Sequence, residues 1–126
     1  MKIAKRVLAV DDDAAILDLL KTSLEPNGYI VDLCEDENDL KISLAKFRPD
    51  IILMDASIPG VDGISLCRQI KHSPSTASVP VVIITAYDDE KTRHDALLFG
   101  ADEFVSRPFD IKDLLKKMEN LTERSR

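Results

Sequence analysis

Ile51-Ile52-Leu53-Met54-Asp55-Ala56-Ser57-Ile58-Pro59-Gly60-Val61-Asp62-Gly63 is the stretch whose reading decides the fold. Its first four residues form an unbroken apolar run, too short for a buried helix and rich in β-branched types. Such a run predicts a strand covered on both faces. The strand ends on a carboxylate, Asp55, and Pro59, Gly60 and Gly63 then predict a loop. Open α/β sheets place their ligands outside the carboxyl ends of their strands. Asp55 is therefore the first candidate for a working residue.

The flanking sequence alternates strand and helix. Arg6–Val10 is a short apolar run that ends at Asp11-Asp12-Asp13. Ile16, Leu19, Leu20 and Leu24 then recur at helical spacing, and Pro26-Asn27-Gly28 stops that helix. Tyr29–Cys34 predicts a second strand, followed by a polar helix with Leu40, Leu44 and Phe47 inward. Beyond the opening stretch, Ile64, Cys67 and Ile70 mark a third helix, and His72–Pro80 predicts a loop. Val81–Thr85 is the least ambiguous strand. A helix through Phe99 follows and is stopped by Gly100. Glu103–Ser106 predicts a fifth strand, and Asp110 caps a last helix carrying Ile111, Leu114, Leu115 and Met118.

Strand–helix alternation repeated five times predicts an α/β doubly wound parallel sheet, with right-handed crossovers and five helices on its two faces. The common order for five such strands is 2-1-3-4-5, which makes the first and third neighbours at the topological switch. Asp11, Asp12 and Asp55 then share one crevice, with Thr85 and Arg107 on the same rim.

At 126 residues the chain is expected to be one domain, residues 1–126, with its core between about 6 and 121. A net charge of −6 argues against a nucleic-acid surface on it. The segment Met1–Arg6 lacks the apolar stretch of a signal peptide, and no run approaches a membrane span. The expectation is a cytoplasmic protein that contacts no membrane. Cys34 and Cys67 are far apart, without partners at ligand spacing, and read as reduced packing thiols. His72 and His94 read as solvated.

Three close carboxylates cannot sit bare, since each pair repels by roughly 4 kcal/mol at an effective dielectric near 20. Oxygen-only ligands with an open rim suit Mg²⁺. Arg107 adds positive charge, and the combination makes a carboxylate nucleophile and an incoming phosphoryl group compatible. The Thr85 hydroxyl and backbone N–H groups of residues 56–57 would hold phosphoryl oxygens. Asp55 thus reads as a phospho-acceptor. Asp13 and Asp62 read as cap and turn residues.

Val10-Asp11-Asp12, Met54-Asp55 with Pro59-Gly60-Val61-Asp62-Gly63, Ile84-Thr85-Ala86 and Arg107-Pro108-Phe109 together resemble the receiver domain of two-component response regulators. The likeness runs from about Arg6 to Leu121. The strand order above is also that of the family's chemotaxis member, with its flavodoxin-like fold, so topology and resemblance are not independent.

The resemblance implies that a sensor histidine kinase or phosphotransfer protein phosphorylates Asp55. Asp12 would bind Mg²⁺ directly, Asp11 through water, and Ser57 through its backbone carbonyl. Thr85 would move toward the phosphoryl group and Phe104 would follow inward. The surface of the fourth helix, fifth strand and fifth helix would then act on an output domain or target protein. The Arg107–Pro108 bond would be cis. The chain would catalyse only its own phosphorylation and dephosphorylation.

Arg107 departs from the family's usual lysine, a change that keeps charge but not geometry. Phe104 stands where tyrosine is common and should sit buried more readily. Ser57 and Tyr87 occupy positions that, in relatives, tune how water reaches the phosphoryl group. Two other functions use the same residues. One is a receiver-like binding module that never takes up phosphate. The other is an aspartate-nucleophile phosphatase built on the D-x-D spacing of Asp11 and Asp13, which lacks the expected residue at Ala15.

Overall fold

The computed structural model describes residues 4–58, 61–86 and 90–124, excluding the side chains of Ser57, Ile58, Val61 and Arg124. Its sheet strands are β1 (Arg6–Val10), β2 (Ile30–Cys34), β3 (Ile51–Met54), β4 (Val81–Thr85) and β5 (Glu103–Ser106). All pairings between them are parallel, in the order β2-β1-β3-β4-β5. The expected doubly wound topology is the one found. Helices α1 (Ala14–Leu24), α2 (Glu37–Lys46), α3 (Gly63–His72) and α4 (Glu90–Leu98) make the four crossovers, and α5 (Ile111–Arg124) follows the last strand.

The period of two along each strand divides the core. Leu8, Val10, Ile52, Met54 and Ile83 face one cluster, with Leu40 of α2, Cys67 and Ile70 of α3 and Ala96 of α4. Val7, Ala9, Ile51, Leu53, Val82 and Ile84 face the other, with Leu17, Leu20 and Leu24 of α1 and Leu114 and Met118 of α5. Burial on both faces explains why β3, and β4 up to Ile84, are continuously apolar in sequence.

Three local expectations need correction. Helix α1 buries Leu17, Leu20 and Leu24, while Leu19 is 45% exposed and Ile16 only packs at the margin. The run Ile16–Leu20 is too uniformly apolar for spacing to choose its inner face; the sheet chooses it. In α2, Leu40 is fully buried, but Phe47 lies past the last turn, half-buried beneath the Arg6 guanidinium at 4.2 Å. The segment after Asp55 is not all loop. Ser57–Ile58 pairs antiparallel with Val61–Asp62, and Gly63 is the first residue of α3. Pro59 and Gly60 lie outside the described residues.

The loop before β4 is tied down by side chains. Thr76 Oγ1 donates to the Ile70 carbonyl at 2.6 Å, and Lys71 Nζ donates to the Val79 carbonyl at 2.6 Å. The same ammonium pairs with Asp102 at 2.7 Å, and Asp102 also accepts from the Val81 N–H. One lysine thus joins α3, the loop and the approach to β5.

Gly63 ties the fold to the rim of the sheet. Its N–H donates to the Ala56 carbonyl at 2.9 Å, and a Cβ there would lie 2.3 Å from the Asp55 carbonyl oxygen. Gly28, by contrast, has φ +91° with nothing within 4 Å of its Cβ direction. Gly63→Ala is expected to cost at least about 2 kcal/mol in chemical denaturation, because backbone must move. Gly28→Ala should cost about 1 kcal/mol, from its left-handed backbone alone. The reverse order would show that the helix start can retreat from Asp55 without loss.

Candidate functional site

Each rim residue is delivered by a strand end. The Asp11 N–H donates to the Cys34 carbonyl, and the Asp55 N–H to the Val10 carbonyl, each at 3.0 Å. The β1 ladder therefore runs one residue past Val10 and Met54 on either side, and sets the two aspartates at neighbouring tips. Asp13 folds the chain back. Its N–H donates to Asp11 Oδ1 at 2.9 Å, while its own carboxylate accepts from the Ala15 N–H and starts α1. Asp62 does the same for α3 through the Ile64 N–H at 3.0 Å.

Carboxylate oxygens of Asp11, Asp12 and Asp55 lie within 4.8 Å of one another. Asp11 is 3% and Asp55 7% exposed, whereas Asp12 faces solvent. Arg107 reaches into this group from the end of β5. Its Nη2 lies 2.6 Å from Asp11 Oδ2 and 3.1 Å from Asp55 Oδ2. The Arg107 N–H donates to the Thr85 carbonyl at 3.0 Å, which anchors the segment to β4. The Arg107–Pro108 peptide bond is cis.

The electrostatics follow from burial. Asp11 is raised from its usual 3.8 to about 6, chiefly by burial. The Asp13 N–H opposes that rise, the Asp55 charge adds to it, Arg107 opposes it and Asp12 adds to it. A pocket of oxygen donors with excess negative charge, two acids buried and one open to solvent, has the donor set of a hard divalent cation. The residues present therefore fit Mg²⁺.

Thr85 ends β4 and is fully buried. Since Met54 pairs with Ile83, Asp55 is level with Ile84 and Thr85 lies one residue further along the adjacent strand. Phe104 pairs with Ile83 from β5, is 4% exposed, and carries the Arg93 guanidinium 4.6 Å from its ring centroid. Ser57 is described as backbone only, paired with Asp62. Tyr87 lies outside the described residues. Asp13 does not join the acidic group: its carboxylate is spent on the cap, so the D-x-D pairing with Asp11 has no counterpart in the geometry.

Two supports were not anticipated. Gly63 is one, since only a residue without Cβ lets α3 start against the Asp55 carbonyl; its signal in sequence is the glycine directly after the cap Asp62. The Asp13 N–H on Asp11 is the other, a contact implicit in three successive aspartates at a strand-to-helix turn.

Cys34 and Cys67 are buried free thiols, pushed up to about 12 and about 11 by burial, and are inert packing groups as expected. No helix among the described residues is long and apolar enough to cross a membrane.

Comparison with known proteins agrees with this geometry. The family described as "Response regulator receiver domain" matches residues 7–119. Response regulator MprA of Mycolicibacterium vanbaalenii is 36% identical over 120 residues, covering 95% of this chain and 51% of the relative. MprA of Mycobacterium leprae is 36% identical over 121 residues, with 96% and 52% covered. The chain thus spans about half the length of these relatives. Among solved structures, a response regulator receiver domain protein (CheY-like) from Methanospirillum hungatei superposes with TM-score 0.89 at 27% identity. That match covers 98% of this chain and 97% of the other. The signal receiver domain of a signal transduction histidine kinase from Syntrophus aciditrophicus gives TM-score 0.87 at 30% identity, covering 95% and 91%. With a sheet of this order and an acidic rim at its carboxyl edge, the chain belongs to the response regulator receiver domains of two-component signalling.

Proposed function

We propose that this chain is a single receiver domain, its core at about 6–121, that accepts a phosphoryl group on Asp55 in a Mg²⁺-dependent reaction. The donor is the phosphohistidine of a sensor histidine kinase or phosphotransfer protein. The observation that carries this is the placement of Asp55. The residue is 7% exposed, its carboxylate among two further acids and 3.1 Å from the Arg107 guanidinium.

In the transfer, an Asp55 carboxylate oxygen attacks phosphorus while the phosphorus–nitrogen bond breaks and the imidazole leaves with the electron pair. Asp11, Asp12, Asp55 and the Ser57 carbonyl would hold Mg²⁺, which would supply positive charge offsetting the repulsion between anionic donor and carboxylate. Arg107 supplies the remaining cationic partner from the protein itself. The Thr85 hydroxyl and the N–H groups of residues 56–57 serve the phosphoryl oxygens.

Thr85 and Phe104 are the switch residues. Thr85 moves toward the phosphoryl group, Phe104 follows it inward, and the α4-β5-α5 surface carries that change to an output domain or target protein. The reaction turns over only the domain's own aspartate. The setting is cytoplasmic, without nucleic acid or membrane as a direct partner.

Intact mass after incubation with acetyl phosphate and MgCl₂ tests this. One phosphoryl mass is expected on wild type, none on Asp55→Asn, and none on wild type in excess chelator. Absence of uptake at saturating donor would instead favour a binding module that signals without phosphate.

The raised Asp11 carboxyl predicts a pH dependence. Between pH 3.8 and about 6, folded Asp11 keeps a proton that the unfolded chain has released. Its stabilising contribution is therefore complete below the lower value and lost as pH rises through the upper one. Denaturant midpoints without metal should fall across that window in wild type relative to Asp11→Asn. Saturating MgCl₂ should abolish the fall, because the ion selects the charged carboxylate. Parallel wild-type and Asp11→Asn profiles would show that Asp11 titrates normally.

A further inference from the structure

Arg107 lies inside the acidic cup, not at its edge. A single nitrogen, Nη2, meets both buried acids, at 2.6 Å from Asp11 and 3.1 Å from Asp55. Nη2 donates a hydrogen bond to Asp11 Oδ2 and meets Asp55 Oδ2 as an ion pair, so one nitrogen serves both acids. The side chain of Arg107 is 19% exposed, and those of Asp11 and Asp55 are 4% and 9%. Solvent screening of these charges is correspondingly weak.

Another donor is given up to reach this position. Arg107 Nε is buried with no hydrogen-bond partner among the described residues. A buried unbonded N–H is costly, so the pull of the two acids on Nη2 dominates the placement of the guanidinium. The backbone end is fixed by the Arg107 N–H on the Thr85 carbonyl. Freedom to move therefore belongs to the side chain alone.

Asp11 and Asp55 are also the two buried members of the set that fits a divalent cation. We infer that Arg107 is an internal cation that competes with the divalent ion for Asp11 and Asp55. The guanidinium partly neutralises the cup in the metal-free protein, and metal entry requires Nη2 to release at least one acid. This rests on the reading of the cup as a metal site. It adds that metal affinity is set by a residue that is not a ligand, and that the ion alone repositions Arg107 before any phosphate arrives. Guanidinium stays charged at every accessible pH, so this competition is not relieved by titration of Arg107.

The test is a MgCl₂ titration of the ¹⁵N-labelled chain, following backbone amides and the Arg107 side-chain Nε–H, assigned from its loss in Arg107→Lys. The Nε–H resonance is expected to shift with the same midpoint as the Asp12 amide. Arg107→Met keeps an unbranched apolar stem but removes the charge. It should bind Mg²⁺ about tenfold more tightly, the scale on which neighbouring groups tune a metal site. It should also unfold at lower denaturant without metal, and Arg107→Lys should fall between it and wild type in affinity.

An unmoved Nε–H at saturation, or unchanged or weaker binding by Arg107→Met, overturns the inference alone if Asp11→Asn still abolishes binding. Failure of Mg²⁺ to bind wild type overturns the inference and the metal reading together. Should Arg107→Met not fold, the wild-type Nε–H titration and the Arg107→Lys affinity decide.

Discussion

Mutual repulsion of carboxylates held at adjacent strand ends is the constraint around which this structure is arranged. Asp11 and Asp55 are anchored through their own backbone N–H groups to the β1–β2 and β1–β3 ladders, so neither can retreat into solvent. The protein answers that repulsion in two ways. It keeps a proton on Asp11 to about pH 6, chiefly through burial with the neighbouring acids adding to it, and it sets the Arg107 guanidinium against both buried acids. Both answers are partial, and a partly neutralised anionic cup is what makes binding a further cation favourable.

The core serves this arrangement. With β1, β3 and β4 buried on both faces, a register shift would force Val, Leu and Ile side chains into the opposite packed layer and draw polar strand-end residues into the core. Burial of each such side chain stabilises by about 1.5–3 kcal/mol, so hydrophobic packing fixes the height at which each strand presents its tip. The α3 start is held to the same reference, since Gly63 abuts the Asp55 carbonyl. A rigid sheet and a glycine contact together hold Asp55 in place.

Much of this was legible from residues 6–110 as a string. The apolar runs at 51–54 and 81–85 could only be covered strands, and the strand order then brought Asp11, Asp12, Asp55 and Arg107 together. Side-chain choice within a helix was less legible. Ile16, Leu17, Leu19 and Leu20 offer overlapping apolar faces, and only the path of the chain onto the sheet selects Leu17 over Leu19. The pairing of Ser57–Ile58 with Val61–Asp62 was hidden by Pro59 and Gly60, whose presence suppresses any expectation of strand. That one Arg107 nitrogen spans two acids was equally hidden, because it depends on how a long side chain folds back over a rim built from distant segments.

The most direct measurement of the central claim is an anomalous difference map from a crystal grown with MnCl₂. The account predicts a peak bounded by the carboxylates of Asp11, Asp12 and Asp55. No peak there at saturating Mn²⁺, or the acids turned to separate solvent-facing positions, would contradict it.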